Sequence, residues 1–348
     1  MSSAGPTVSL FMPNRNNAGV LDLTLSRLAE NTTYPSFELV VADDGSTDGS
    51  RDVLRRWRDS GRFGAFTLIE REHAGAPATL NAAAEASSGD LLVQLDSDAT
   101  IETPGWLERM VALQRSDPAV GVVTAAVILD TGRVHAYGAN LIGPEGMHDG
   151  GTTISEPVGL RTQNSAVDRP KASDLPPPAL PREVDASIGC CMLFTRALFE
   201  EAGGYDLGFS PVWFDDLDLS LTARRLGSKV FVLGDVRVEH RVSLRAESPS
   251  VARRLARRLP QGVKDAVTAA AGLNKQSPEV LERLRHHYAY WREKWGFDPL
   301  NPDMDAVLAR YGATEVCWRY DDGMRSAGER IAEAYSGASS AAASSRSS

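Results

Sequence analysis

Glu38-Leu39-Val40-Val41-Ala42-Asp43-Asp44-Gly45-Ser46-Thr47-Asp48-Gly49-Ser50 is an apolar run that stops on two carboxylates and gives way to turn residues. A short unbroken run of Leu, Val and Ala reads as a strand buried on both faces, and Asp, Gly and Ser close it with turn chemistry. The same layout recurs on either side. Val8–Pro13, Ala65–Glu70, Asp90–Asp96 and Val120–Ile128 join Phe37–Asp43 as strand-like runs. Helical patterns lie between them at Ala18–Glu30, Asp48–Ser60, Pro77–Ser87 and Pro104–Arg115, with Thr47-Asp48 and Thr103-Pro104 as helix starts. This alternation predicts an α/β fold with a mostly parallel sheet covered by helices on both faces.

Residues 131–186 break the rhythm with Gly, Pro, Asp and Ser, and a loop that long inside a compact domain is either functional or disordered. After it the sequence predicts a strand (Ser187–Thr195), a helix (Arg196–Gly203), a polar-aromatic turn and a helix (Asp215–Leu226). Two short strands follow, Lys229–Leu233 and Val236–His240. From Arg241 onward the patterns are helical, and residues 336–348 form a Ser/Ala tail expected to be disordered.

The chain has 348 residues, of which 42% are apolar, enough for one large domain with an appendage. No run of apolar residues is long enough for a membrane-spanning helix, and Met1–Thr7 lacks the layout of a secretory signal. Cys190 and Cys191 are neighbours and Cys317 is remote, so no disulfide framework is expected and a cytoplasmic location fits. A net charge of −9 argues against broad nucleic-acid binding. The charge is uneven, with 12 Lys/Arg against 5 Asp/Glu between Arg241 and Lys294.

Three strand ends carry polar groups: Asn14-Arg15-Asn16, Asp43-Asp44-Gly45-Ser46 and Asp96-Ser97-Asp98. Turn chemistry explains any one of them. All three at one edge point to a shared ligand site, because open parallel sheets bind ligands beyond the carboxyl ends of their strands. Asp96 and Asp98 are alternate residues after a strand and can aim two carboxylates at one hard divalent cation. Asp215, Asp216 and Asp218 crowd a helix start behind Trp213-Phe214. They either complement the helix dipole or supply a general base in an aromatic-lined pocket. His240 ends a strand, as a packed residue or as a ligand. His73, His135 and His148 lie in loop-like segments, while His286 and His287 are expected at the surface.

The ordered set resembles family 2 glycosyltransferases with the GT-A fold. It runs through Val8–Pro13 and Asn16, then Glu38–Ser50, Leu80-Asn81, Ser88-Gly89-Asp90, Asp96-Ser97-Asp98, Gly203-Gly204-Tyr205-Asp206, Phe214–Leu219 and His240. Arg133–Gly138 and His148–Gly151 further resemble a bacterial, rhamnosyltransferase-like subset. The resemblance implies a GT-A catalytic domain over residues 1–242, with a nucleotide-sugar half (1–130) and an acceptor half (131–242), followed by a helical extension (243–335). It implies Pro13, Asn16, Asp43, Asp44, Asn81 and Asp96 on the donor side, with Asp44 receiving a uracil N–H. It implies Asp98 and His240 as ligands of Mg2+ or Mn2+ and Asp216 as the base of an inverting transfer. Trp213, Phe214, Asp215 and Gly189 fall on the acceptor side. The donor would be a nucleoside-diphosphate sugar, UDP-linked by this reading, and the acceptor a glycan, lipid-linked, peptide or small-molecule hydroxyl.

Three positions depart from the family pattern: Asp215-Asp216 where Glu-Asp is usual, Asn14-Arg15 where Thr-Tyr is common, and His73-Ala74-Gly75 where an Asn-containing turn often sits. Arg15 faces either a phosphate or solvent. A sugar nucleotidyltransferase is a rival, but Asn14–Gly19 lacks its Gly-rich basic phosphate loop. A non-catalytic binding protein is the other. Cys190-Cys191 reads as strand packing beside the acceptor, with a nucleophile as a distant second. Val251, Leu255, Leu259, Val263 and Val267 form a helical stripe flanked by arginines. Packing or homodimer formation is its default reading, and contact with an anionic membrane the alternative.

Overall fold

The computed structural model of the chain describes residues 7–138, 148–149, 152–153, 181–241 and 278–296. Its first half repeats strand and helix: β1 (Val8–Asn14), α1 (Ala18–Asn31), β2 (Phe37–Asp44), α2 (Ser50–Asp59), β3 (Phe66–Arg71), α3 (Ala76–Glu85) and β4 (Leu91–Leu95). Next come β5 (Ala99–Ile101), α4 (Trp106–Ser116), β6 (Val120–Leu129), β7 (Val134–Ala136) and the two-residue strands β8 (His148–Asp149) and β9 (Thr152–Thr153). The second half holds β10 (Arg182–Val184), β11 (Cys191–Thr195), α5 (Arg196–Ala202), a 3-10 turn (Leu207–Phe209), α6 (Asp215–Arg225), β12 (Lys229–His240) and α7 (Pro278–Trp295).

Ten strands form one sheet in the order β10-β12-β6-β11-β4-β1-β2-β3, with β5 paired to β12 and β7 to β6. β1, β2, β3 and β4 are mutually parallel, and β12 runs parallel to β6. β11 is antiparallel to both β4 and β6, so those two neighbours point the same way. The expected α/β fold with a mostly parallel sheet is therefore the one found.

Alternation along β1 divides the core. Leu10 and Met12 join the cluster with Leu21 and Leu25 of α1, Leu54 of α2 and Trp106 of α4, while Phe11 joins Leu80 and Ala84 of α3 on the other face. Helices thus cover both sides, which is why the strands read as continuous apolar runs rather than alternating ones.

Two expectations about element bounds are corrected. The strands Lys229–Leu233 and Val236–His240 are one strand, because Leu233 pairs with Ala125 and Arg237 with Ala126, leaving three residues bulged between them. Gly234-Asp235 had the look of a turn. The helices expected from Asp48 and Pro104 start at Ser50 and Trp106, although Asp48 still accepts the Ser50 N–H at 2.9 Å. The insert 131–186 is described at its ends, where β7 and β10 join the sheet, and at the small β8–β9 pair. The remainder of that insert, the Val251–Val267 stripe and the Ser/Ala tail lie outside the described residues. Among those described, no helix is long and apolar enough to cross a membrane.

A buried ionic cluster ties α6 to the sheet. Arg224 Nη1 lies 3.1 Å from Glu183 Oε1 and its Nη2 3.4 Å from Asp185 Oδ1, while Lys229 Nζ is 3.4 Å from Glu183 Oε2. All four side chains are buried. Removing Arg224 takes its charge from the buried Asp185 and leaves Glu183 with Lys229 as its cation in this cluster. Arg224→Leu is expected to cost about 3–5 kcal/mol in urea unfolding, far more than an average surface change.

Candidate active site

The carboxyl ends of β1 and β2 meet in a corner held by side-chain hydrogen bonds. Asn14 Nδ2 donates to Asp43 Oδ2 at 2.8 Å, and Asp43 Oδ1 accepts the Ser46 N–H at 3.0 Å and Arg51 Nε at 2.6 Å. Burial works to raise the Asp43 pKa, but these donors outweigh it and hold the carboxyl below the usual range. Asp43 has no exposed surface, so it braces the donor side rather than lining it. Asn16 turns the chain with a left-handed backbone at φ 51°, and its Oδ1 accepts the Thr47 N–H at 2.8 Å. Pro13 is half-buried just before it.

Asp44 is engaged with the loop after β3. Its carboxylate accepts the N–H groups of Ala74 at 2.7 Å and Gly75 at 3.2 Å, and lies 2.7 Å from His73 Nδ1. Arg15 Nη1 is 3.9 Å away and largely exposed. Gly75 adopts φ +93°, and a Cβ there would meet Pro211 Cα at 2.7 Å. Only glycine fits that close approach. An open groove of about 550 Å3 runs past this loop, lined by Ser46, Thr47, Arg51, Arg71 and His73 among others.

The carboxyl end of β4 meets β5, β11 and β12. The β5–β12 ladder sets His240 opposite Ala99, and Asp98 Oδ1 then lies 3.2 Å from His240 Nε2. Asp96, Cys190 and His240 each offer one donor atom, all within 4.8 Å of one another. The His135 ring packs edge-on against His240 at 5.0 Å. The expected pair Asp98 and His240 is thus brought together, with Asp96 beside it.

The start of α6 lies next to this cluster. Asp216 Oδ2 accepts the Gly189 N–H at 2.7 Å and its Oδ1 accepts the Leu217 N–H at 2.8 Å. Burial pushes Asp216 up to about 6, against those two donors and with help from the Asp96 charge. Asp215 is driven well above the carboxylate range by burial and by the Asp216 charge. Here burial and crowding outweigh the helix dipole expected to keep the base ionised. Asp218 plays a different part, since Lys294 Nζ and Trp295 Nε1 both donate to it at 2.8 Å.

Trp213 and Phe214 precede this helix with left-handed backbones, φ 83° and 74°. Such a conformation costs non-glycine residues free energy that surrounding contacts must supply. Phe214 is buried in an aromatic cluster, stacked on Phe209 at 5.8 Å and flanked by His287, Tyr288 and Trp291 of α7. Trp213 is 39% exposed, with Arg283 lying 5.5 Å over its ring.

Some expected residues are placed elsewhere. Asn81, expected on the donor side, forms a double hydrogen bond with the Tyr205 backbone, both at 2.8 Å, and so clasps the segment that leads into the 3-10 turn. His287, expected at the surface, is fully buried, and its Nε2–H donates to the Ser210 carbonyl at 3.1 Å. His286 is exposed as expected. Sequence reasoning missed Gln94, which accepts a hydrogen bond from the Tyr205 hydroxyl, and also Lys294 and Trp295. The spacing His287, Trp291, Trp295 was the available signal, one face of a helix with an apolar stripe.

A mixed α/β sheet with acidic residues gathered at its carboxyl edge is the layout of a ligand-binding α/β domain, and comparison with known proteins gives the family. Residues 9–203, more than half of the chain, match the model of glycosyl transferase family 2, and the chain belongs to that family. It is similar to the O-antigen biosynthesis protein RfbC of Myxococcus xanthus, 26% identical over 68% of this chain and 17% of that protein. It is also similar to validoxylamine A glucosyltransferase of Streptomyces hygroscopicus subsp. limoneus, 36% identical over 31% of this chain and 23% of that protein. The chain therefore spans less than a quarter of these relatives. Among solved structures it shares its fold with the mannosyltransferase PcManGT of Pyrobaculum calidifontis in complex with GDP-Man and Mn2+. That match has TM-score 0.50, 22% identity, and covers 94% of this chain and 81% of that one. GalNAc-T7 with UDP, GalNAc and Mn2+ matches at TM-score 0.51 and 16% identity, covering 89% of this chain and 59% of that one.

The raised Asp215 and Asp216 carboxyls have a thermodynamic consequence. A carboxyl whose folded pKa exceeds its unfolded value favours the folded state while protonated, and this benefit is lost as pH rises through the folded pKa. For Asp216 that loss falls between about pH 4 and its shifted value of about 6. Asp216→Asn is expected to stabilise the ligand-free protein by roughly 1–3 kcal/mol at pH 7.5, with the gain vanishing toward pH 4. Thermal unfolding across that range checks it.

Proposed function

We propose that the chain performs an inverting transfer from a nucleoside-diphosphate sugar to an acceptor hydroxyl, with Asp216 as general base beside a divalent-cation site. The observation that carries this reading is the continuity of residues 189 and 190. Gly189 donates its N–H to Asp216, while the next residue, Cys190, places its thiol among the donor atoms of Asp96 and His240. The proposed base and the proposed cation site are therefore one residue apart, as a single displacement at one carbon requires.

Two carboxylates and an imidazole are an appropriate donor set for Mg2+ or Mn2+. Asp98 and His240 would hold the ion with Asp96 on its donor-facing side, and the ion would supply charge stabilisation for the departing diphosphate. The remaining steps belong to the protein. Gly189 and Leu217 fix the Asp216 carboxylate by one hydrogen bond on each oxygen, leaving lone pairs to take the acceptor proton. A base shifted up to about 6 is better matched to that proton than an ordinary carboxylate. Asp218 is held by Lys294 and Trp295 and is thereby excluded as the base. Trp213 offers an exposed aromatic face for an acceptor ring, beside Phe214 and Asp215. On the donor side, Pro13, Asn16 and Asp44 frame the nucleoside end, next to the groove that carries Arg51 and Arg71.

Turnover of a UDP-, dTDP- and GDP-sugar panel, read as nucleotide release with and without EDTA, tests the reading. Asp98→Asn is expected to lower activity on the order of 10²-fold or more, since it removes charge stabilisation of the leaving group. Asp216→Asn is expected to abolish transfer while nucleotide affinity, read by calorimetry, stays within about a factor of three. Full wild-type activity in EDTA, or normal turnover by the Asp216 variant, overturns the respective assignment.

A further inference from the structure

We propose that the Cys190 thiol is part of the cation site and biases it toward thiophilic divalent ions, Zn2+, Cd2+ and Co2+, over Mg2+. The inference rests on the cation reading above and adds a sulfur donor to its Asp98 and His240 pair. Three features support it.

The first is position. Cys190 is 2% exposed, and its carbonyl accepts the Asp96 N–H at 3.1 Å. The β11–β4 register, with Cys191 opposite Leu95, then holds residue 190 alongside the end of β4. The second is reach. One Asp96 oxygen, one His240 nitrogen and the Cys190 sulfur all fall within 4.8 Å of one another. In a tetrahedral site, Zn–S bonds of about 2.3 Å and Zn–N bonds of about 2.0–2.1 Å set sulfur and nitrogen roughly 3.6 Å apart, so side-chain rotations that close the set by about 1 Å bring it onto an ion. The third is contrast with the adjacent cysteine. Cys191 Sγ lies 4.0 Å from Met110 Sδ in the core, and burial together with the Asp96 charge raises its pKa far above the ordinary thiol value. Both cysteines border the same core cluster, but the Cys190 sulfur is the one beside the Asp96 and His240 donor atoms.

Mg2+ takes oxygen ligands and has little affinity for sulfur, whereas imidazole and thiolate suit Zn2+ and its neighbours. Binding such an ion converts Cys–SH to a metal-bound thiolate and releases one proton to solvent, with no change of oxidation state. The site thus acquires a soft edge on the side next to Gly189.

Optical titration of the full-length protein with Co2+ tests the proposal. The expected result is weak visible d–d absorption from the bound ion together with a strong near-ultraviolet sulfur-to-cobalt band. The band persists in Cys191→Ala/Cys317→Ala and disappears in Cys190→Ser, whose preference for Zn2+ over Mg2+ falls at least tenfold in calorimetry. If a variant does not fold, X-ray absorption of the Zn2+-loaded wild type decides, through a Zn–S shell near 2.3 Å. Visible bands without the sulfur band or shell remove Cys190 from the site and leave the oxygen and nitrogen ligands standing. Absence of Co2+ and Zn2+ uptake with Mn2+ uptake retained overturns this proposal and leaves the cation reading standing, whereas absence of uptake of all three ions overturns both.

Discussion

The antiparallel insertion of β11 between β4 and β6 is the constraint on which the site depends. A purely parallel sheet would put β6 next to β4 and leave only turn residues at their carboxyl ends. With β11 running the opposite way, its start rather than its end arrives at that edge. Gly189 and Cys190 are delivered beside Asp96, and a Gly189 Cβ would lie 2.4 Å from the Gln94 amide, so the approach is as close as a backbone allows. The Gly189 N–H can then reach Asp216, and two halves of the chain share one small volume.

That volume is electrostatically expensive. Burial first, and then the Asp216 and Asp96 charges, raise the Asp215 pKa, while burial and the Asp96 charge raise that of Asp216. The donor corner shows the opposite balance, where Asp43 is buried yet held ionised by Ser46, Arg51 and Asn14. The difference lies in the number of donors each carboxylate receives. Asp43 is satisfied by the protein itself. The carboxyls at the start of α6 receive fewer donors, and their protons are held more tightly.

Much of the fold was legible in the sequence because its signal is local. Strand runs such as Leu91–Leu95 and helix faces such as Leu21, Leu25 and Leu28 announce themselves within a few residues. The site was legible where chemistry sits at strand ends, as with Asp98 and His240. It was illegible where a residue's role depends on distant pairing. Nothing near Asn81 announces that it clasps Tyr205, 124 residues away, or near Asp44 that its oxygens go to residues 73–75. Gly234-Asp235 reads as a turn in any local window, and only pairing with β6 makes it a bulge. His287 misled for the same reason, since a helical stripe does not say what it packs against.

Helix α7 shows what that pairing accomplishes. The aromatic residues before α6 hold left-handed backbones, a conformation their own side chains disfavour. Contacts must offset this, and the contacts on Phe214 come from Phe209 and from α7 rather than from the sheet. Lys294 bridges Asp206 and Asp218, at 2.5 Å and 2.8 Å, so the same helix also neutralises the acid one turn interior to Asp215. These two effects act together. Stacking fixes the direction in which the chain enters α6, and the ion pair fixes the turn that follows, leaving Asp216 as the half-buried acid aimed at Gly189. The helical segment that composition set apart from the catalytic half as basic and unexplained is thus a structural part of it: its aromatic face supports the acidic turn, and its cation assigns that turn's carboxylates to different tasks.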